Sequence, residues 1–432
     1  MKGYGKYKDS GIEWLGGVPK DWSIKKIKHI TSFISKGTTP STVGKEIKAV
    51  GNIRFIKAEN INDNLVCNKP KNYIDEETNK ILQRSELKEK DILFVIAGAT
   101  IGKVAIVPKN FLPANTNQAV SFIRLLPDEN EKFCWYWLQS FRIQEILWIN
   151  TVQSAQPNLS MENLGNFYIT YPEKKEQQKI AAYLDHKTTL IDTLIEKKKR
   201  LIDLLKEERT AVINQAVTKG LDPNVQFKDS GIEWLGEIPA HWEVKKFKYF
   251  FTLITEKIIG TSDKKIALEN IESWTGKLIE TDTQFEGEGI AFKNEDILFG
   301  KLRPYLAKVL YPKFRGSAVG DIYVFRPQVS IDSEFSFYRI LTRSFINLVN
   351  GATYGAKMPR ASWDFIGNLL IAFPSLNEQV KIAKSIRTET TRIDTLITKT
   401  QNQIELLQEY RTALISEVVT GKIDVRDWNE PE

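Results

Sequence analysis

Residues 7–30 read YKDSGIEWLGGVPKDWSIKKIKHI, and residues 227–250 read FKDSGIEWLGEIPAHWEVKKFKYF. Superposed without gaps at an offset of 220, they agree at 14 of 24 positions, including Trp14 with Trp234 and Trp22 with Trp242. A second repeat has a different offset, 202. Residues 172–220, beginning PEKKEQQKIAAYLDHKTTLIDTLIEKK, and residues 374–422, beginning PSLNEQVKIAKSIRTETTRIDTLITKT, agree at 24 of 49 positions. Two separate blocks this alike mean a duplicated unit. Fainter echoes lie between them. Asp91-Ile92-Leu93-Phe94 matches Asp296-Ile297-Leu298-Phe299, and Lys103-Val104 matches Lys308-Val309, both at an offset of 205. Gln156-Pro157-Asn158-Leu159-Ser160 near Gly165 echoes Met358-Pro359-Arg360-Ala361-Ser362 near Gly367.

The chain therefore divides into a lead-in segment (1–18), a globular module (19–172), a central helix (173–221), a repeated lead-in (222–238), a second module (239–374), a distal helix (375–424) and a tail (425–432). From Ile180 to Val217 and from Ile382 to Val419 there is no Gly or Pro, and apolar residues recur at spacings of three and four. One seam runs through Ile191, Ile195, Ile202 and Leu205, the other through Ile393, Ile397, Ile404 and Leu407. The polar interruptions match as well, Lys198 with Thr400 and Arg209 with Arg411. Each helix follows a proline, Pro172 or Pro374, and stops at a glycine, Gly220 or Gly421. Roughly 40 helical residues make a rod of about 60 Å. Two such rods in one chain are expected to bury their stripes against each other, antiparallel. In the modules, short β-rich runs such as Ile92 to Ile96, Ala105 to Val107 and Ile322 to Phe325 are broken by Gly, Pro and Asn. The expected fold class is α+β: two mixed α/β modules joined by two long antiparallel helices in a coiled coil, with a pseudo-two-fold internal repeat.

The 432 residues carry 61 Lys and Arg against 54 Asp and Glu, a net charge of +7, which suits a nucleic-acid partner without demanding one. At 42% hydrophobic and 11% aromatic, the chain can build real cores. Cys67 and Cys134 are far apart, so neither a disulfide framework nor a CxxC metal pair is expected. No apolar run approaches the roughly 20 residues that span a bilayer, and a cytoplasmic location is expected. Enzymatic signals are missing. Gly98-Ala-Thr-Ile-Gly102-Lys103 is one residue short of a phosphate-binding loop and lacks the following Ser or Thr, so it is expected to be a turn between strands. The three histidines, His29, His186 and His241, stand beside no recognisable nucleophile.

Two features could touch DNA. The clusters Lys25-Lys26 with Lys28 and Lys245-Lys246 with Lys248 are solvated strand edges or phosphate contacts. Loops mixing Gly, Thr, Gln, Lys and Arg are the better candidates for base readout, since Arg and Lys grip guanine and Gln grips adenine. The candidate residues are Lys36, Thr38, Thr39, Lys103, Gln153 and Gln156 in the first module and Lys301, Arg303, Tyr305, Lys357 and Arg360 in the second.

KDSGIEWLGEIPAHWEV at 228–244, its N-terminal copy, and Val419-Thr420-Gly421-Lys422-Ile423-Asp424 resemble the specificity subunit of Type I restriction–modification systems. The resemblance covers essentially the whole chain. One departure is Val217-Thr218-Lys219-Gly220-Leu221-Asp222, where Lys and Gly are exchanged relative to the terminal copy. The resemblance implies two target-recognition domains, each reading one half of an asymmetric site on double-stranded DNA. It implies a helical spacer that docks two methyltransferase subunits and, where present, motor–nuclease subunits. The chain itself would hold no cofactor or metal and catalyse nothing: S-adenosylmethionine, and ATP with Mg²⁺, would bind the partner subunits. Two other readings compete with this one. An enzyme acting alone would methylate or cut DNA without partners, and a coiled-coil scaffold would have no DNA target.

Overall fold

The computed structural model describes residues 2–151, 158–258, 264–281, 288–353, 355 and 357–430. They gather into two compact units, Met1–Lys198 with Asn402–Glu432, and Lys199–Gln401. The central helix (Lys174–Lys219) starts in the first unit and ends in the second, and the distal helix (Leu376–Val419) does the reverse. Both begin just after the prolines that precede them, and Gln177 and Gln379 donate back to the carbonyls of Pro172 and Pro374, each at 2.9 Å, and brace the first turn.

In the first unit, an antiparallel sheet runs Val104–Ile106, Ile92–Val95, Val120–Leu125, Thr31–Lys36. In the second, the counterpart runs Val309–Leu310, Ile297–Gly300, Ile322–Pro327, Phe251–Ile254. Each unit adds a mixed sheet, of three strands in the first and four in the second, containing one parallel pair, Ala114–Thr116 with Ile53–Ile56 or Lys265–Ile266 with Gly316–Val319. Each also adds a helical pair, Glu131–Gln139 and Phe141–Thr151, or Ser333–Ile340 and Arg343–Gly351. The sheets are held by the same buried carboxylate. Asp91 accepts both the Nε and Nη2 of Arg124, at 2.8 and 2.7 Å, and the Lys88 amide at 2.7 Å. Asp296 does the same for Arg326 and the Lys293 amide, at 2.8, 2.7 and 2.8 Å. A bidentate pair plus a backbone donor satisfies a carboxylate that would otherwise be costly to bury.

The repeated lead-in segments form hairpins, Tyr7–Asp9 with Gly17–Pro19 and Phe227–Asp229 with Glu237–Pro239. Trp22 and Trp242 are each 1% exposed. Their indole N–H groups donate to Glu176 and Glu378 in the first turns of the long helices, both at 3.1 Å. The exchanged Lys and Gly turn out to be equivalent. Gly220 and Gly421 both adopt positive φ, 78° and 73°, as helix stops. The flanking lysines, Lys219 before one glycine and Lys422 after the other, donate to the matching carbonyls of Glu237 and Gly17. At the tryptophan of the hairpin the partners differ. The Trp14 ring lies tilted against that of Trp137, with centroids 6.5 Å apart, whereas Trp234 lies under the guanidinium of Arg339, at 5.1 Å. Burial holds that guanidinium down to about 10, a cost that the end of its helix and the Trp234 face offset only in part.

Within each unit the long-helix segments run antiparallel. In the first, Arg411 Nε lies 2.9 Å from Asp192 Oδ1 and Lys198 donates to Gln403 at 2.7 Å. In the second, Arg209 Nε lies 3.2 Å from Asp394 Oδ1 and Arg392 reaches Glu208 at 2.8 Å. Arg209–Asp394 and Asp192–Arg411 are images of one another under the 202-residue offset, as antiparallel pairing of equivalent helices requires. The matched arginines in the seam are therefore register pairs. Ile191, Ile195, Ile202, Leu205, Ile393 and Ile404 are buried, and Ile397 and Leu407 are half-buried.

Candidate nucleic-acid interface

Lys25, Lys26, Lys245 and Lys246 lie on the strands Ser23–Lys26 and Glu243–Lys246, Lys28 and Lys248 lie in the short turns that follow, and four of the six have local partners. Lys25 Nζ sits 3.5 Å over the Tyr171 ring and Lys26 Nζ 5.4 Å over Tyr168. Lys245 pairs with Glu243 at 2.6 Å, and Lys248 donates to Asn368 at 3.1 Å.

The loop candidates converge at one sheet end in each unit. In the first, strand Thr31–Lys36 ends in exposed Lys36, followed by half-buried Thr38 and Thr39. Gly37 between them donates to the carbonyls of Asn117 and Val120, at 3.1 and 3.3 Å. A Cβ there would lie 1.8 Å from Thr116 O, so only glycine fits. The Thr39 hydroxyl donates to Gln118, a residue the sequence reading missed because it lies outside any Gly–Thr or basic run. The 96–103 loop joins this edge: the Ile96 amide donates to Ala119 O and the Leu159 amide to Ile96 O, at 2.9 and 2.8 Å. As expected, the 98–102 stretch is a turn between the antiparallel strands Ile92–Val95 and Val104–Ile106. Lys103 is committed to this scaffold, its ammonium donating to Asn62 Oδ1 at 2.8 Å. Lys308, its counterpart, holds the carbonyls of Leu268 and Ile271 at 2.6 and 2.9 Å. Gln153 and Gln156 lie outside the described residues.

In the second unit the 301–308 loop follows the same path with other side chains. The Lys301 amide donates to Asp321 O at 2.9 Å and the Ala361 amide to Lys301 O at 2.8 Å, repeating the contacts of Ile96. The left-handed positions recur: Gly98 and Gly102, with φ of 91° and 89°, become Arg303 and Ala307, with φ of 51° and 47°. Lys301 Nζ and Arg360 Nη2 converge on the Asp321 carboxylate, at 3.7 and 3.0 Å. Lys301 also lies 5.2 Å over Tyr323, whose hydroxyl donates to Ala361 O at 3.1 Å. Arg303, Tyr305 and Lys357 are exposed nearby, and an isolated bridge joins Leu302 to Arg360. Asp321 was not singled out from sequence, where only basic, hydroxyl and amide side chains marked the loops. It occupies the place of Ala119, and that correspondence was the available signal.

A groove also recurs in each unit, beside the final turns of a long-helix segment. In the first it measures about 510 Å³ and is lined by Phe141, Arg142, Glu409, Thr412, Ala413 and Ser416 among others. In the second it measures about 350 Å³ and is lined by Arg343, Ser344, Glu207, Thr210, Ala211 and Asn214 among others. Each of these six pairs is separated by the 202-residue offset, and the Glu, Thr and Ala of the long helices are identical.

Residues 19–204 and 239–406 each match the family model described as Type I restriction modification DNA specificity domain. The MjaVIII specificity subunit of a Type I restriction enzyme from Methanocaldococcus jannaschii is 24% identical over 98% of both chains. The EcoDI specificity subunit from Escherichia coli is 23% identical over 67% of this chain and 69% of its own. A chain solved in work on complex assembly and conformational transition of the type I R-M system superposes with a TM-score of 0.72 at 12% identity, covering 94% of this chain and 99% of that one. The HsdS subunit from Thermoanaerobacter tengcongensis gives 0.55 at 12% identity, over 94% and 98%. With two tandem matches that take in both modules and most of both long helices, the chain belongs to the Type I restriction–modification DNA specificity family.

Proposed function

We propose that this chain is the non-catalytic, sequence-reading subunit of a Type I restriction–modification complex. Each module reads one half of a bipartite, asymmetric site on double-stranded DNA. The continuous helices set the gap between the halves. Two adenine-methylating modification subunits dock on the chain, and motor–nuclease subunits join them in a restriction complex. S-adenosylmethionine, and ATP with Mg²⁺, bind those partners.

The observation that carries this reading is the loop pair 96–103 and 301–308. One backbone, anchored by the same hydrogen bonds, presents neutral side chains in one unit and a charged set in the other. A common frame with different readers yields two unlike half-sites, whereas identical readers would yield a palindrome. The matched grooves support two seats for one kind of partner, since their helix side retains Glu, Thr and Ala in both copies. That the relatives are named specificity subunits supports leaving catalysis to other chains.

The test is to purify the chain with its modification partner, methylate a random DNA library and map the modified adenines. Two short unlike halves at a fixed gap are expected. Methylation without any motif, from a stably assembled complex, would overturn the reading.

A further inference from the structure

We infer that Arg303 is a guanine-reading residue of the second module, so that the half-site facing this module contains a G·C pair recognised at that position; this rests on the sequence-reading role proposed above. Arg303 is held against its backbone preference. Its φ of 51° and ψ of 61° are left-handed values that strain any residue with a Cβ, and Pro304 behind it disfavours the ordinary helical alternative. The first module also has a positive φ at this position, 91°, and fills it with Gly98. A Cβ at Gly98 would meet nothing within 4 Å, so room for a side chain is not what separates the two positions. The second module therefore carries an arginine where glycine would fold more easily, which points away from stability as its purpose.

The setting suits a reader. The Arg303 amide donates to Pro359 O at 2.8 Å, and its carbonyl accepts the Leu306 amide at 2.9 Å, so the side chain leaves a clamped backbone. The neighbouring cations Lys301 and Arg360 share the Asp321 carboxylate, at 3.7 and 3.0 Å, while the Arg303 side chain is exposed. A planar guanidinium carried on a fixed backbone matches guanine O6 and N7 in the major groove. Ile96, Gly98, Ala119 and Asn158 hold the corresponding positions in the first module and carry no charge, so that half-site is not read by a cation here.

The experiment assembles the full chain, or its R303A, R303G or R303K variant, with the modification partner and maps methylated adenines in a random library. With the unaltered chain, one half-site contains an invariant G·C pair. In R303A and R303G, preference for that pair falls by on the order of tenfold or more while the other half is unchanged. R303K also relaxes the position, because an ammonium lacks the two-pronged fork. R303G is at least as stable to heat as the parent, which keeps the test valid if R303A folds poorly. An unchanged G·C preference in R303A and R303G overturns the inference. So does a uniform loss of methylation with the motif intact, which marks a phosphate contact instead. If the unaltered complex yields no two-part motif, the sequence-reading proposal itself falls; a two-part motif indifferent to Arg303 removes this inference alone.

Discussion

The 96–103 and 301–308 loops share a path and differ in almost every side chain, while the hairpins and helix starts differ in path and chemistry hardly at all. Trp22 with Glu176 and Trp242 with Glu378 make the same bond at the same length, and Lys103 and Lys308 both serve the scaffold. Isoleucine, glycine, threonine and alanine at 96, 98, 100 and 119 stand opposite lysine, arginine, tyrosine and aspartate. In this loop pair the duplicated architecture places its divergence where the backbone is already fixed by its own hydrogen bonds. New side chains can be tried there without refolding the module.

The comparison can be broken at the frame or sharpened at the loops. The largest effect is expected at the carboxylates that brace both sheets. Asp91→Ala and Asp296→Ala should each cost about 3 kcal/mol, because a buried bidentate arginine and a backbone amide lose their acceptor. Urea unfolding would measure both. Unequal losses, differing by more than about 1 kcal/mol, would contradict a common frame.

A smaller and deliberately unequal pair lies in the loops. Gly102→Ala should destabilise by about 1–3 kcal/mol, since it adds strain at positive φ and its Cβ would come within 2.5 Å of Gln144 Oε1. Ala307→Gly should change stability by less than about 1 kcal/mol in either direction. Thermal unfolding of both variants checks the contrast, and equal losses would refute it.

The smallest effect belongs to the reciprocal helix pairs. Arg209→Ala and Arg411→Ala should each cost about 1 kcal/mol or less, with the loss shrinking as salt rises, because their carboxylate partners are partly solvated. Denaturation at low and high ionic strength would show it. A loss independent of salt would mean that packing of the arginine stems carries the effect.

The repeats made the helices, their antiparallel partnership and the seam legible, because two rods in one chain with matched polar interruptions have few ways to bury their stripes. Arg209 and Arg411 were visible as matched interruptions, although their partners, Asp394 and Asp192, are apparent only once direction and register are known. The interface was less legible. Residue type alone placed Lys103 among the DNA contacts, yet the Lys308 echo at the same offset belongs to shared scaffold. Asp321 stayed hidden because an acid among bases reads as an accident until three-dimensional proximity sets it between Lys301 and Arg360. Positions that differ between copies on an unchanged backbone are the better guide to readers.

The first unit draws on both ends of the chain. The Asp424 amide donates to Lys2 O at 2.9 Å, Tyr7 donates to Gly421 O at 3.1 Å, and the Thr170 hydroxyl donates to Val419 O at 2.6 Å. The second unit comprises only Lys199–Gln401. During synthesis the usual order of completion is therefore reversed. The sequence of the second unit is complete once Gln401 has been added, whereas that of the first is complete only with the segment that begins at Asn402. A chain that stops at Gln401 carries the sequence of the whole second unit and lacks the segment that completes the first, so completion of the first unit reports that translation has passed through the distal helix.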